Sequence, residues 1–133
     1  MIFGVGTDIV SIERIERALS RGGDRFLRKV LGEQELLTFF ERQGQSPVRG
    51  IRYLATRFAA KEAFSKAIGT GVRLPMTLRN MQTVSGDQGR PMIVVSGDLA
   101  VWMKERGLSA HVSVSDEVHH VVAFVIVEQR AQE

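Results

Sequence analysis

The sequence predicts an α+β fold, a mainly antiparallel sheet packed with one long helix and several short ones. Three observations predict it: an apolar, glycine-containing opening stretch, a long helical period closed by Gly69-Thr70-Gly71, and a change to strand-like alternation after about residue 80. The order of strand, helices, two strands, helix and two strands is that of an α+β domain rather than a parallel α/β one. The 133 residues, 44% of them hydrophobic, suffice for one core, so residues 1–133 are expected to form a single domain.

Ile2 to Ile12 reads as a strand, in which Gly4 and Gly6 mark the close approach of another backbone or a ligand. Ile12, Ile15 and Leu19 recur at helical spacing, predicting a helix over 12–21 with Arg14, Arg17 and Arg21 on its other side; Gly22 and Gly23 stop it. Asp24 is suited to cap a short helix over 25–31, and Glu33 to Gln43 reads as another between Gly32 and Gly44. Ser46-Pro47 has the form of an N-cap and first helical residue, opening a long helix that ends near Gly69 or Gly71.

The second half is strand-rich. Met81 to Ser85 and Met92 to Ser96 read as strands joined by a turn in GDQGRP, and Leu99 to Arg106 as a short helix ended by Gly107. His111, Ser113 and Ser115 alternate with Val112 and Val114, giving a strand with one polar face, and His119 to Val127 completes a hairpin. No repeat, linker or low-complexity stretch interrupts this order.

Composition narrows the chemistry. The longest apolar run, Val121 to Val127, is far below the roughly 20 residues of a membrane span, and MIFGVGTDIV lacks the basic flank and cleavage site of a secretion signal. A soluble, cytoplasmic protein with no membrane partner is expected. The absence of cysteine excludes disulfides and thiolate metal sites, and the histidines are not spaced as zinc ligands. Residues 1–66 hold 12 Lys and Arg against 8 Asp and Glu, whereas residues 67–133 hold 6 against 7. Within the basic half Arg14, Arg17, Arg21, Arg25, Arg28 and Lys29 face only Glu16 and Asp24, a patch suited to an acidic protein, a nucleic acid or a phosphorylated ligand.

In the long helix, RFAAKEAFSKAIGTG, Ala60, Ala63, Phe64 and Ala67 form an apolar stripe, with Glu62 opposite it beside Phe58, Ser65 and Gly69, and Lys61 and Lys66 flanking that outer face. A solvated face with a Glu62–Lys66 pair would explain this as well as a functional site would. Asp8 stands between Val5 and Ile9 on a strand expected to be buried, where a carboxylate costs several kcal/mol unless it is paired or binds a metal. It is therefore expected to have a cationic partner, either as a structural pair or cap, or jointly with Glu62 as a ligand of magnesium, a hard cation that takes one or two carboxylates and completes its shell with water and phosphates. Such phosphates would lie near Lys61, Lys66 and Arg57. His111, beside Ser113 on the polar strand face, suits phosphate binding, proton transfer or a structural role. GTGVR lacks the spacing and the strand-to-helix order of a phosphate loop.

GVGTDIVSIERI, RFAAKEAFSKAIGTG, GRP in the hairpin and HVSVSD before the last strand, in this order and over residues 2 to 127, closely resemble the bacterial holo-acyl-carrier-protein synthases, whose fold is that of the 4′-phosphopantetheinyl transferases. The resemblance implies magnesium-dependent transfer of 4′-phosphopantetheine from coenzyme A to a serine of apo-acyl carrier protein, releasing 3′,5′-ADP and supporting fatty acid synthesis. It also implies a homotrimer with sites at subunit boundaries. By the family's pattern Asp8 and Glu62 hold the metal and Lys66 is the second helix lysine. The basic first helix that meets the carrier protein maps to Arg14 and Arg21, with Arg25 and Phe26 beside them; Arg17 joins them by spacing alone. GQSPVRG differs in length from many relatives, a change that a surface connection tolerates.

On this reading Lys66 offsets charge on the phosphoryl group, and the serine proton goes to Glu62 or to a water held by other groups. Arg57, Lys61, His111 and Ser113 are expected to bind the nucleotide's phosphates, with Gly89 and Pro91 of GRP near the adenine. A nucleic-acid-binding domain is the rival from another class, but the basic helix carries no interleaved aromatics for stacking. A non-catalytic trimeric scaffold would leave Asp8 and Glu62 without a role.

Overall fold

The computed structural model describes residues 1–131. Strand β1 (Ile2–Ser11) pairs antiparallel with β5 (His120–Gln129), and β5 pairs antiparallel with β4 (Leu108–Asp116), giving a three-stranded sheet in the order β1-β5-β4. β2 (Met81–Ser85) and β3 (Pro91–Val95) form a separate antiparallel hairpin. The helices are α1 (Ile12–Val30), α2 (Glu33–Gln45), α3 (Pro47–Ile68) and α4 (Gly97–Glu105), so the mixed α+β architecture is the one the sequence predicts.

Directly opposed residues of an antiparallel pair share a face. Gly4, Gly6, Asp8 and Val10 of β1 therefore look the same way as Val127, Val125, Ala123 and Val121 of β5, and this is the face covered by α3. The four β5 residues are wholly buried there. Gly4 and Gly6 let the helix come down onto the strand, because a Cβ at either would overlap the main-chain carbonyl of Ala67 or Ala63. The alanines of α3 complete the fit from the helix side: Ala59, Ala60, Ala63 and Ala67 are all buried.

The long helix departs from the outward-facing pattern read in its sequence. It is the central element, with the sheet on one side and α1, α2 and β2 on others, so Tyr53, Lys61 and Ser65 are buried along with the apolar stripe and Phe58 packs against the core. Its end is as expected, with Gly69 in the left-handed region (φ 86°) as the C-cap.

The glycine pair in the first helix marks a kink rather than a stop. Gly23 (φ 53°, ψ −136°) breaks the helical geometry between two segments, and the second segment continues to Val30. Asp24 pairs with Arg28 at 2.7 Å. The hydroxyl of Ser11 accepts from the N–H of Arg14 and caps the first segment. Ser46 holds the N-cap position of α3 but makes no side-chain cap bond; Pro47 sets the first turn instead.

Candidate active site

β1 and α3 converge at Asp8, Glu62 and Lys66. Gly4 meets Ala67 and Gly6 meets Ala63, so strand and helix run in opposite directions and the next residue on the same strand face, Asp8, lies beside the preceding turn of the helix. Lys66 Nζ donates to Asp8 Oδ1 at 3.2 Å and to the Thr7 carbonyl at 2.9 Å. The expected cationic partner of Asp8 is thus Lys66 of α3. The strand is also less buried than expected: Val5 and Ile9, on the other face, are 50% and 67% exposed, and the Asp8 side chain retains 18%.

Glu62 is half-buried at the same place, and its carboxyl is held above the ordinary carboxylate range, first by burial and then by repulsion from Asp8; Lys66 and Arg14 oppose the shift. Two carboxylates close enough to repel could hold a divalent cation between them if Lys66 gave up its hold on Asp8. Among the described residues no group of three or more His, Cys, Asp and Glu forms a denser cation site. Hard oxygen donors, two in number, fit magnesium and do not fit zinc.

Lys61 requires a correction. It is fully buried and turned away from Glu62 and Lys66, with its ammonium donating to Glu35 Oε1 at 2.7 Å and to the carbonyls of Leu78 and Met81. Its three donors are spent on protein oxygens, so it has none for a substrate phosphate. One residue along a helix turns the side chain by about 100°, which moves position 61 from the site to the α2 and β2 side.

Arg57 lies on that side as well. Its guanidinium stacks on the Tyr53 ring, 4.4 Å from the centroid, while Nε donates to the Thr83 carbonyl at 3.2 Å and Nη1 to the Thr56 hydroxyl at 3.2 Å. It lines a cleft of ≈ 260 Å³ with Arg42, Arg49, Arg52, Tyr53, Thr56 and Asp116. Of these residues only Arg57 is expected at the site from the sequence. For Arg49, Arg52, Tyr53 and Thr56 the signal is their spacing with Arg57, which puts them on neighbouring faces of one helix; Arg42 on α2 and Asp116 on β4 reach the cleft only through tertiary packing.

His111 and Ser113 sit on the sheet face opposite to Asp8, since they are paired with Ile126 and Phe124, whose neighbours on β1 are Val5 and Thr7. Both are exposed, and His111 Nε2 is 2.9 Å from Glu128 Oε1. Within one subunit, therefore, they do not join Asp8 and Glu62. Gly89 (φ 74°) lies in the turn of the β2–β3 hairpin and Pro91 opens β3 opposite Ser85, which borders a second cleft shared with Arg57 and Tyr53. Arg14, Arg17, Arg21 and Arg25 are exposed along α1, Arg17 pairing with Glu13 at 3.3 Å, and Phe26 packs partly into the core. Arg14 is the one whose charge reaches Glu62.

The family model described as the 4′-phosphopantetheinyl transferase superfamily matches residues 4–125. The chain belongs to that superfamily. It is similar to the holo-[acyl-carrier-protein] synthase of Herminiimonas arsenicoxydans, with 56% identity over 98% of this chain and 100% of that one. In structure it is similar to the holo-[acyl-carrier-protein] synthase of Neisseria meningitidis (TM-score 0.88, 42% identity, 97% of this chain and 100% of the other). It is also similar to the Bacillus anthracis holo-(acyl-carrier-protein) synthase in complex with CoA (3′,5′-ADP), at TM-score 0.79 and 32% identity over 98% and 99% of the two chains. These relatives place this phosphopantetheinyl transferase in the holo-acyl-carrier-protein synthase family of enzymes, the family its motifs resemble. Among its described residues no helix is long and apolar enough to cross a membrane.

Proposed function

We propose that this phosphopantetheinyl transferase moves 4′-phosphopantetheine from coenzyme A to a serine hydroxyl of an apo-acyl carrier protein in the cytoplasm, with magnesium as cofactor and residues 1–133 acting as one domain. The observation that carries the reading is the meeting of Asp8, Glu62 and Lys66 at the β1–α3 contact, beside the basic face of α1. Bound magnesium would be held by Asp8 and Glu62 and would withdraw charge from the diphosphate of the coenzyme.

The chain's own residues account for the remaining needs of the transfer. A bond forms from the serine oxygen to the phosphorus that carries the pantetheine, and the bond from that phosphorus to the bridging oxygen breaks, so that 3′,5′-ADP leaves. The serine proton goes to the Glu62 carboxylate or to a water that it orients; burial and Asp8 make Glu62 a stronger base than an exposed glutamate. Lys66 can move from the Thr7 carbonyl to the phosphoryl oxygens, since it is exposed and anchored only by hydrogen bonds at its tip. Arg57 and the arginines beside it, which face away from their own subunit's Asp8 and Glu62, suit the nucleotide phosphates of a coenzyme held by a neighbouring copy, and Gly89 and Pro91 its base. Arg14, Arg17, Arg21, Arg25 and Phe26 suit an acidic carrier surface.

A homotrimer is part of the proposal. The outer sheet face carries Val5, Ile9, Val122, Phe124 and Ile126, an apolar surface that another copy would cover, and His111 and Ser113 lie at its edge. A neighbour docked there would bring His111 to a site that its own subunit's Asp8 cannot reach.

The test is intact-mass measurement of an apo-acyl carrier protein incubated with the enzyme, coenzyme A and magnesium. The expected result is a gain of one phosphopantetheine, lost when the metal is chelated. No gain at any enzyme concentration overturns the assignment.

A further inference from the structure

Glu35 and Lys61 form an ion pair in which both side chains have zero exposure, a costly arrangement unless every lone pair and proton is used. They are used. Glu35 Oε1 accepts from Lys61 and from the N–H of Gly32 at 3.0 Å, and Oε2 accepts from the N–H of Thr83 at 2.9 Å. Lys61 adds the carbonyls of Leu78 and Met81. The pair therefore clamps the start of α2, the middle of α3 and strand β2 at one point.

Thr83 passes this constraint on. Its N–H is held by Glu35 while its carbonyl accepts from Arg57 Nε at 3.2 Å, and its buried hydroxyl makes no hydrogen bond, so the main chain alone connects the two. The Arg57 guanidinium is otherwise fixed by Thr56 and by the Tyr53 ring. Shifting the Thr83 peptide would let the guanidinium slide off the ring that faces the basic cleft.

We infer that the buried Glu35–Lys61 pair is a positioning device for Arg57, acting through the Thr83 peptide to hold the guanidinium in the orientation that receives a phosphate of the nucleotide. This rests on the reading that coenzyme A occupies the cleft beside Arg57. A pair that served only to hold the fold would change stability without selective loss of affinity for one substrate. A pair that positions Arg57 should weaken coenzyme A binding, and should do so only while Arg57 is present.

The experiment is calorimetric titration of the full chain with coenzyme A, with apparent KM values for both substrates as a second readout. Two alterations of the pair are used, Glu35→Asp, which retracts the carboxylate from Thr83 while keeping its charge, and the joint change Glu35→Gln with Lys61→Met, which removes both buried charges and so leaves neither unpaired. Each is made with Arg57 intact and with Arg57→Ala, and the melting temperature selects whichever is folded. We expect roughly tenfold weaker coenzyme A binding from the pair variant, a KM for carrier protein unchanged within about twofold, and no further loss in the Arg57→Ala background. Losses that multiply with that of Arg57→Ala, or no loss from a folded pair variant, overturn the inference while leaving the coenzyme reading intact. Arg57→Ala binding coenzyme A as tightly as the unaltered chain overturns the placement of the coenzyme at Arg57 and the inference with it.

Discussion

Gly6 of β1 lies directly against the carbonyl of Ala63 in α3, with no room for a methyl group between them. Glu62 and Asp8 are brought together only because the strand and helix backbones can approach this closely.

Gly6→Ala should therefore act on stability and site together. The added Cβ meets main chain, which cannot rotate away, and overpacking of this kind costs about 1–3 kcal/mol. Urea unfolding should show that loss, and kcat should fall even where the variant is fully folded. By contrast, Gly44→Ala, where a Cβ meets nothing, should leave activity unchanged; the same loss of kcat from both would contradict the packing argument.

Asp8→Asn and Glu62→Gln should each lower transfer by about a hundredfold or more at saturating substrates, with the fold retained. Stability gives a second signature. The folded-state pKa of Glu62 lies above its ordinary value of 4.5, so its contribution to stability is fully present below that value and is lost as pH rises through the folded pKa. In chelator-treated protein, Glu62→Gln should melt higher than the parent at neutral pH, and the gap should close toward pH 4. Magnesium should raise the melting temperature of the parent and not of the variant. A metal-free parent that outlasts Glu62→Gln at pH 7 would contradict the proposed repulsion.

Arg21→Glu combined with Arg25→Glu should raise the KM for carrier protein strongly and leave that for coenzyme A nearly unchanged, with an effect that shrinks at high salt. Each exposed pair is worth only about 0.2–1 kcal/mol, so the steering comes from their number. Arg14→Glu should differ by also lowering kcat, because its charge acts on Glu62. Equal changes in KM for both substrates would remove α1 from the docking surface.

Ile9→Asp places a charge on the outer sheet face, on edge strand β1, where Ile9 is 67% exposed. Light scattering should show a trimer for the parent and a smaller species for the variant, and activity should fall because His111 loses its neighbour's site. A parent that is monomeric and fully active at micromolar concentration would end the trimer proposal.

Local signals carried much of this structure. Glycines within a strand announced a close backbone contact, and the α3 C-cap lay where Gly69 put it. Asp8, improbable on an apolar strand, did have a cationic partner at the site, Lys66. What periodicity could not give was how many sides of α3 are covered. A helical wheel assumes one buried face, and α3 has several, which is why Lys61 looked like a second phosphate ligand when it is an interior residue. The pairing of Lys61 with Glu35, and of Arg57 with the Thr83 peptide, depends on where β2 docks, a long-range fact with no local trace. Arg49 and Arg52 were legible as spacing on α3 but were overshadowed by the denser arginines of α1, whereas Arg42 joins them only through the docking of α2.

The pairing of β1 with β5 has a consequence for how the protein is made. Met1 and Gln129, 128 positions apart, exchange main-chain hydrogen bonds, and in between β1 runs alongside β5 for nearly its whole length. During synthesis β1 emerges well before the strand it pairs with, and although α3 can cover its inner face earlier, its hydrogen-bonding edge stays open until almost everything after it has been translated. Contacts this distant form slowly, and a waiting strand is a target for wrong partners, so this small enzyme is expected to depend on chaperones more than its size suggests. Asp8 is the first to emerge of the residues that matter for the reaction, yet the strand that carries it is paired only when β5 arrives.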